Sequence, residues 1–111
     1  MTRPSLMNLA MEYFTRRGYE VRKDQGQEDL RRSPAFDLVV SKRKEAHAVR
    51  VKEWNRTIGV NMVISLDKAS RAAGFQSPIL VAEIFSEHAK AYANRRGIIL
   101  MTRSEMIRSL R

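Results

Sequence analysis

Residues 36–53 read FDLVVSKRKEAHAVRVKE, and the reading of this stretch decides the fold. Ala35 to Ser41 is a β-rich run holding Phe36, Leu38, Val39 and Val40, and Ala46 to Glu53 alternates in side-chain character as a strand does. Between them, Lys42-Arg43-Lys44-Glu45 is a charged turn, so the two runs form a hairpin. A turn centred on Arg43 and Lys44 pairs Ser41 with Ala46, Val39 with Ala48, and Asp37 with Arg50. Residues directly opposite one another in an antiparallel pair share a face, and Lys52 joins that face by the period of two. Asp37, Arg50 and Lys52 are therefore expected on one side of the sheet, near its end. A register slip of two residues preserves that grouping and a slip of one destroys it.

Working outward, Leu6, Leu9, Ala10, Tyr13 and Phe14 recur at helical spacing, which predicts a helix from Pro4 to Arg17 capped by Gly18. Tyr19 to Asp24 reads as a short strand and Gln25 to Pro34 as a polar loop. Beyond the hairpin, Trp54 to Gly59 is a loop and Val60 to Ala73 a helix ended by Gly74. Pro78 to Ile84 is apolar almost throughout, which fits a strand covered on both faces. Ser86 caps a helix that ends at Gly97, Ile98 to Met101 is a last strand, and Thr102 opens a final helix to Leu110. The order is α-β-β-β-α-β-α-β-α. Meander strands followed by alternating helices and strands predict an α/β fold, a mixed sheet flanked by helices on both faces, spanning residues 1–111 as one domain.

The chain has 111 residues, with 21 Lys and Arg against 12 Asp and Glu, a formal charge of +9. That excess favours a polyanionic partner: DNA, RNA or an anionic membrane. Cysteine is absent, which removes disulfides, thiolate zinc sites and cysteine catalysis, and two histidines are too few for a histidine-rich metal cluster. No apolar run reaches the roughly 20 residues of a membrane span. No secretory signal follows Met1, so a cytoplasmic location is the expectation.

The hairpin with its continuation carries a resemblance. Phe36-Asp37-Leu38-Val39-Val40 followed by Val49-Arg50-Val51-Lys52 resembles the core of the PD-(D/E)xK nucleases. The run from Val51 through Trp54, Asn55 and Arg56 to Gly59-Val60 is similar to the Mrr-type pattern of strand, polar loop, glycine and helix. Phe85-Ser86, Ala89, Ala93 and Gly97-Ile98-Ile99-Leu100 are similar to that family's closing strand-helix-strand. The first helix with Gly18-Tyr19-Glu20-Val21 resembles archaeal Holliday junction resolvases. The resemblance implies a restriction-endonuclease-like fold in which an aspartate and an acid hold Mg²⁺ and a lysine stabilises charge or assists the attacking water. Asp37 and Lys52 match the aspartate and the lysine. The acid position is Arg50, which cannot ligate a cation and stays protonated. Met7, Asn8 and Leu9 occupy the region of the resolvases' helical glutamate.

Two readings of the trio stand at this point: a degenerate nuclease site that binds nucleic acid without cutting it, with no metal, or a live Mg²⁺-dependent endonuclease that recruits a displaced acid such as Glu83 or Asp24. Arg50 either pairs Asp37 or itself meets a phosphate. A third reading is an interaction subunit whose basic face is incidental. The expected phosphate contacts are Lys42, Arg43, Lys44, Lys52 and Arg56, with both the hairpin tip and the loop after the second strand bordering the site. Trp54, the single tryptophan, is expected to be a partly buried packing residue, a stacking platform being the alternative. His47 falls on the face away from Asp37 and His88 on a helix surface. A homodimer is implied only by the resolvase likeness.

Overall fold

The computed structural model describes residues 4–23 and 36–110. Helix α1 spans Leu6–Arg16, strands β1, β2 and β3 span Glu20–Lys23, Leu38–Lys42 and Glu45–Val51, and a two-residue strand β4 covers Thr57–Ile58. Helix α2 (Val60–Ala72), strand β5 (Gln76–Ala82), the two-residue β6 (Ile84–Phe85), helix α3 (Glu87–Arg96), strand β7 (Ile99–Thr102) and helix α4 (Arg103–Leu110) complete the order. The main sheet runs β1-β2-β3-β5-β7. Its first three strands are antiparallel and its last three parallel, so the mixed α/β sheet with flanking helices is the one the sequence predicts. The short β4 and β6, paired in parallel as a separate ribbon, lie where the sequence reads as loop and strand end. Glu83 interrupts the apolar run and divides it in two.

Alternation along the strands sorts the apolar residues into two cores. Leu38, Val40, Val49, Val51, Ile79 and Val81 pack with Leu6, Leu9, Ala10 and Phe14 of α1 and Met106 of α4. Leu80 and Ala82, on the reverse face, pack with Val63 and Leu66 of α2 and Ala89 and Ala93 of α3. Burial of these side chains supplies the main drive to fold, since apolar area removed from water stabilises by roughly 25 cal/mol per Å².

The helix ends follow their capping residues. Ser5, and not Pro4, caps α1, its hydroxyl accepting from the Asn8 N–H at 3.0 Å. Ser86 caps α3 in the same way, and Gly97 closes that helix in the left-handed conformation at φ 72°. The C-terminal end of α1 also ties to the sheet and to α4: the Lys42 ammonium donates to the Arg17 carbonyl at 2.9 Å, and an Arg16 guanidinium N–H to the Leu110 carbonyl at 3.1 Å.

A buried acid joins α2 to α3. Asp67 is 3% exposed, and its carboxylate accepts from Arg71 Nε at 3.1 Å and the Tyr92 hydroxyl at 3.2 Å, and pairs with Arg96 Nη2 at 3.3 Å. Burial of a charge is tolerated because both carboxylate oxygens meet donors.

Candidate functional site

The β2–β3 hairpin has the register read from the sequence: Ser41 opposite Ala46, Val39 opposite Ala48 and Leu38 opposite Val49. One step beyond the ladder, the Asp37 N–H donates to the Val49 carbonyl at 2.8 Å, so Asp37 shares Val49 with Leu38 instead of continuing the register to Arg50. Asp37 Oδ2 accepts from the Val51 N–H at 2.8 Å and lies 4.0 Å from Arg50 Nε. At that separation the guanidinium is an ion-pair partner and not a hydrogen-bond donor through this atom. Both side chains are largely withdrawn from water, 25% and 16% exposed respectively, so their attraction is screened less than a surface pair. Arg50 is in register with Leu80 of β5, which belongs to the α2–α3 core. The guanidinium is thus on the face opposite α1.

Lys52 follows β3, held by its own N–H donating to the Val81 carbonyl at 2.9 Å. Burial holds its ammonium below the usual lysine value of 10.5, Arg50 pushes the same way, and Asp37 opposes them. The three predicted residues are therefore brought together in space. The linkage has a definite sign: a lysine whose folded value is lowered costs stability at pH below that value, and the cost fades as pH rises towards 10.5. Lys52→Met is accordingly expected to raise the denaturation midpoint at pH 7, and to raise it less at pH 10, as chemical unfolding at the two pH values will show.

Trp54 departs from the packing role expected of it. It is 43% exposed, and the Lys52 ammonium and the Arg56 guanidinium lie 4.6 Å and 5.3 Å from its ring centroid. The loop is short and turns sharply into β4, leaving the indole outside both cores with two cations against it. The exposure is legible only in three dimensions, although the Lys-x-Trp-x-Arg spacing was available as a signal.

The hairpin tip does not border this site. Asp37 stands at one end of β2 and Lys42 at the other, five residues away along a strand that rises about 3.3 Å per residue. Lys42 also turns to the α1 face, donating to the Arg17 carbonyl and lying 5.3 Å from the Tyr19 ring centroid. Arg43, at φ 57°, and Lys44 are exposed at the tip. Of the expected phosphate contacts, Lys52 belongs to the trio and Arg56 shares the Trp54 ring with it, and the tip is a separate basic point.

Several other charged residues are engaged elsewhere. Glu53 points away from Asp37 as its parity requires, and its carboxylate accepts from the Met7 N–H at 3.3 Å, serving the open N-terminus of α1. Glu12 pairs with Arg16 at 2.8 Å. Glu83 accepts from Arg103 Nε at 2.9 Å, and Arg103 also reaches the Pro4 carbonyl at 2.6 Å. Arg71 and Arg96 are committed to Asp67. His47 is buried on the α1 face with Nδ1 2.7 Å from the Ser77 carbonyl, and His88 is exposed. Asp24 lies outside the described residues. Among the described residues, no three His, Cys, Asp or Glu side chains stand close enough to hold a metal ion together.

Three comparisons bear on this geometry. The family model Mrr_cat, restriction endonuclease, matches residues 1–110. The crystal structure of AF1548, a protein of unknown function, superposes with a TM-score of 0.72 at 22% identity, covering 95% of this chain and 63% of that one. The chain therefore spans less than two thirds of that structure's length, and at this identity the likeness is one of fold. No curated protein matches the chain.

Proposed function

Because the chain belongs to the Mrr_cat restriction endonuclease family, we propose that it binds nucleic acid, DNA above all, through a nuclease-fold site whose Mg²⁺-dependent phosphodiesterase chemistry is degenerate. The observation that carries this reading is the Asp37–Arg50 pair. The family usually uses Mg²⁺, a hard cation that takes oxygen ligands in near-octahedral array. Among the described residues, Asp37 is the carboxylate at this site, one of its oxygens already accepts from the Val51 N–H, and a guanidinium stands beside it. A fixed positive charge in that place repels a divalent ion and leaves Asp37 as a single ligand among the described residues. The donor set does not fit magnesium, and no chemical step is assigned through it.

What remains suits a phosphate. Arg50, Lys52 and Arg56 put positive charge along one sheet end, and the net charge of +9 extends attraction beyond the site. Part of that charge is spent internally on Asp67, Glu83 and helix ends, so the effective footprint is smaller than the composition implies. The competing reading is an active endonuclease with a displaced acid, and family membership favours it. Glu83, the described candidate, is held by Arg103, which argues against its service as a ligand. A symmetric pair of chains would set two basic faces on one duplex, and light scattering in solution tests that pairing.

Binding by cations to backbone phosphates releases counterions, so affinity falls steeply with salt. A gel shift on a short DNA duplex is expected to weaken by at least about tenfold between 50 and 200 mM salt, as engagement of only a few phosphates requires. Lys52→Ala and Arg56→Ala should each flatten that dependence. Affinity unchanged across the salt range would count against the basic site and towards an interaction subunit.

A further inference from the structure

We propose that Trp54 is a stacking platform for an unpaired nucleobase, so that the site takes nucleic acid with a single-stranded or frayed segment in preference to an intact duplex. The inference rests on the nucleic-acid reading above and adds to it the form of the ligand. A lone tryptophan at the edge of a folded domain is ordinarily covered, because its ring is the largest apolar surface a residue can contribute. Here it is 43% exposed and belongs to neither core.

Its surroundings are those of a base and not of a core. Lys52 and Arg56 lie 4.6 Å and 5.3 Å from the ring centroid, where cation–π attraction holds them. A base stacked on the indole would carry its own backbone phosphate into reach of the same two cations. Ile84, 53% exposed, is in register with Thr57, the residue that follows Arg56, and adds a second uncovered apolar side chain at the margin. Aromatic stacking is tolerant of sequence because every base has a flat face. In an intact duplex the bases are already stacked on one another, and the ring has only edges and backbone to meet.

The single tryptophan is also the reporter. Intrinsic fluorescence of the full chain is titrated with a single-stranded oligothymidine and with a blunt duplex of equal length, at one low salt concentration. Quenching to about half or less is expected with the single strand and little change with the duplex. By gel shift or anisotropy, Trp54→Ala is expected to weaken single-strand binding by roughly 5- to 150-fold and duplex binding by less than about threefold, with Trp54→Phe retaining most of the single-strand affinity. Melting curves check that the variants fold. Equal quenching by both forms, or equal loss of both affinities in Trp54→Ala, would overturn the proposal and leave the indole as a support for Lys52 and Arg56. Absence of binding to either form would instead overturn the nucleic-acid reading, and this inference with it.

Discussion

Arg50→Glu is expected to unfold more readily than the natural chain and to be rescued by divalent cations. In the folded protein the Arg50 guanidinium faces the Asp37 carboxylate at 4.0 Å, both largely buried. A glutamate there replaces attraction by repulsion between two carboxylates in a poorly hydrated place. Breaking a buried pair costs about 3–5 kcal/mol. For a chain of this size that is a fall in Tm of roughly 10–20 °C. Asp37, Glu at position 50 and Lys52 would then reproduce the acid-x-lysine pattern that the family uses, and a divalent ion would relieve the repulsion. With a ligand at about ten times its Kd the recovery is about 1.4 kcal/mol. Thermal melts with and without Mg²⁺ or Mn²⁺ check it. Arg50→Gln is the control, since it removes the cation without supplying a charged oxygen and should show no comparable rescue. A variant as stable as the natural chain and indifferent to Mg²⁺ and Mn²⁺ would mean that Arg50 does not occupy the place of a metal ligand.

Asp67→Ala is expected to destabilise the α2–α3 contact strongly. The substitution removes the acceptor for Arg71, Arg96 and Tyr92 together and leaves the tyrosine hydroxyl facing a void. Arg71 and Arg96 are 59% and 41% exposed and can turn to water, so the full penalty of a stranded buried cation does not apply. A loss of about 2–3 kcal/mol follows from the missing charge-assisted hydrogen bonds and the unpartnered hydroxyl. Urea denaturation, with Arg71→Ala and Arg96→Ala for comparison, measures it. Each arginine variant should cost well under half as much, because the remaining donors still serve the carboxylate.

The strands and helices around Asp37 were legible because the hairpin carries two independent signals, alternation and a charged two-residue turn, that agree on one register. From that register the grouping of Asp37 with Arg50 followed by parity alone; the ladder from Lys42 opposite Glu45 to Leu38 opposite Val49 has that register, and the ion pair at 4.0 Å brings the two side chains together beyond its end. Less of the surface was legible. Lys42 reads as a free tip cation, yet its long side chain folds back to the carbonyl end of α1, a partner 25 residues away that no local pattern announces. Trp54 reads as a packing residue on its chemistry, and only the turn into β4 leaves it outside both cores. The β4–β6 ribbon was missed because two residues are too few to show a period, and its pairing joins segments far apart in sequence. Asp67 sits among helical polar residues, and its burial depends on α3 arriving against α2 with Tyr92 and Arg96 in place.

The most direct measurement is made on the natural chain: isothermal titration with Mg²⁺ and Mn²⁺, followed by incubation with linear, branched and single-stranded DNA in the same buffers. If Arg50 has taken over the counter-charge of Asp37, neither ion shows saturable binding and every substrate is recovered intact while still being shifted in a gel. Metal-dependent cleavage that disappears in Asp37→Ala would contradict that outcome and identify a working nuclease.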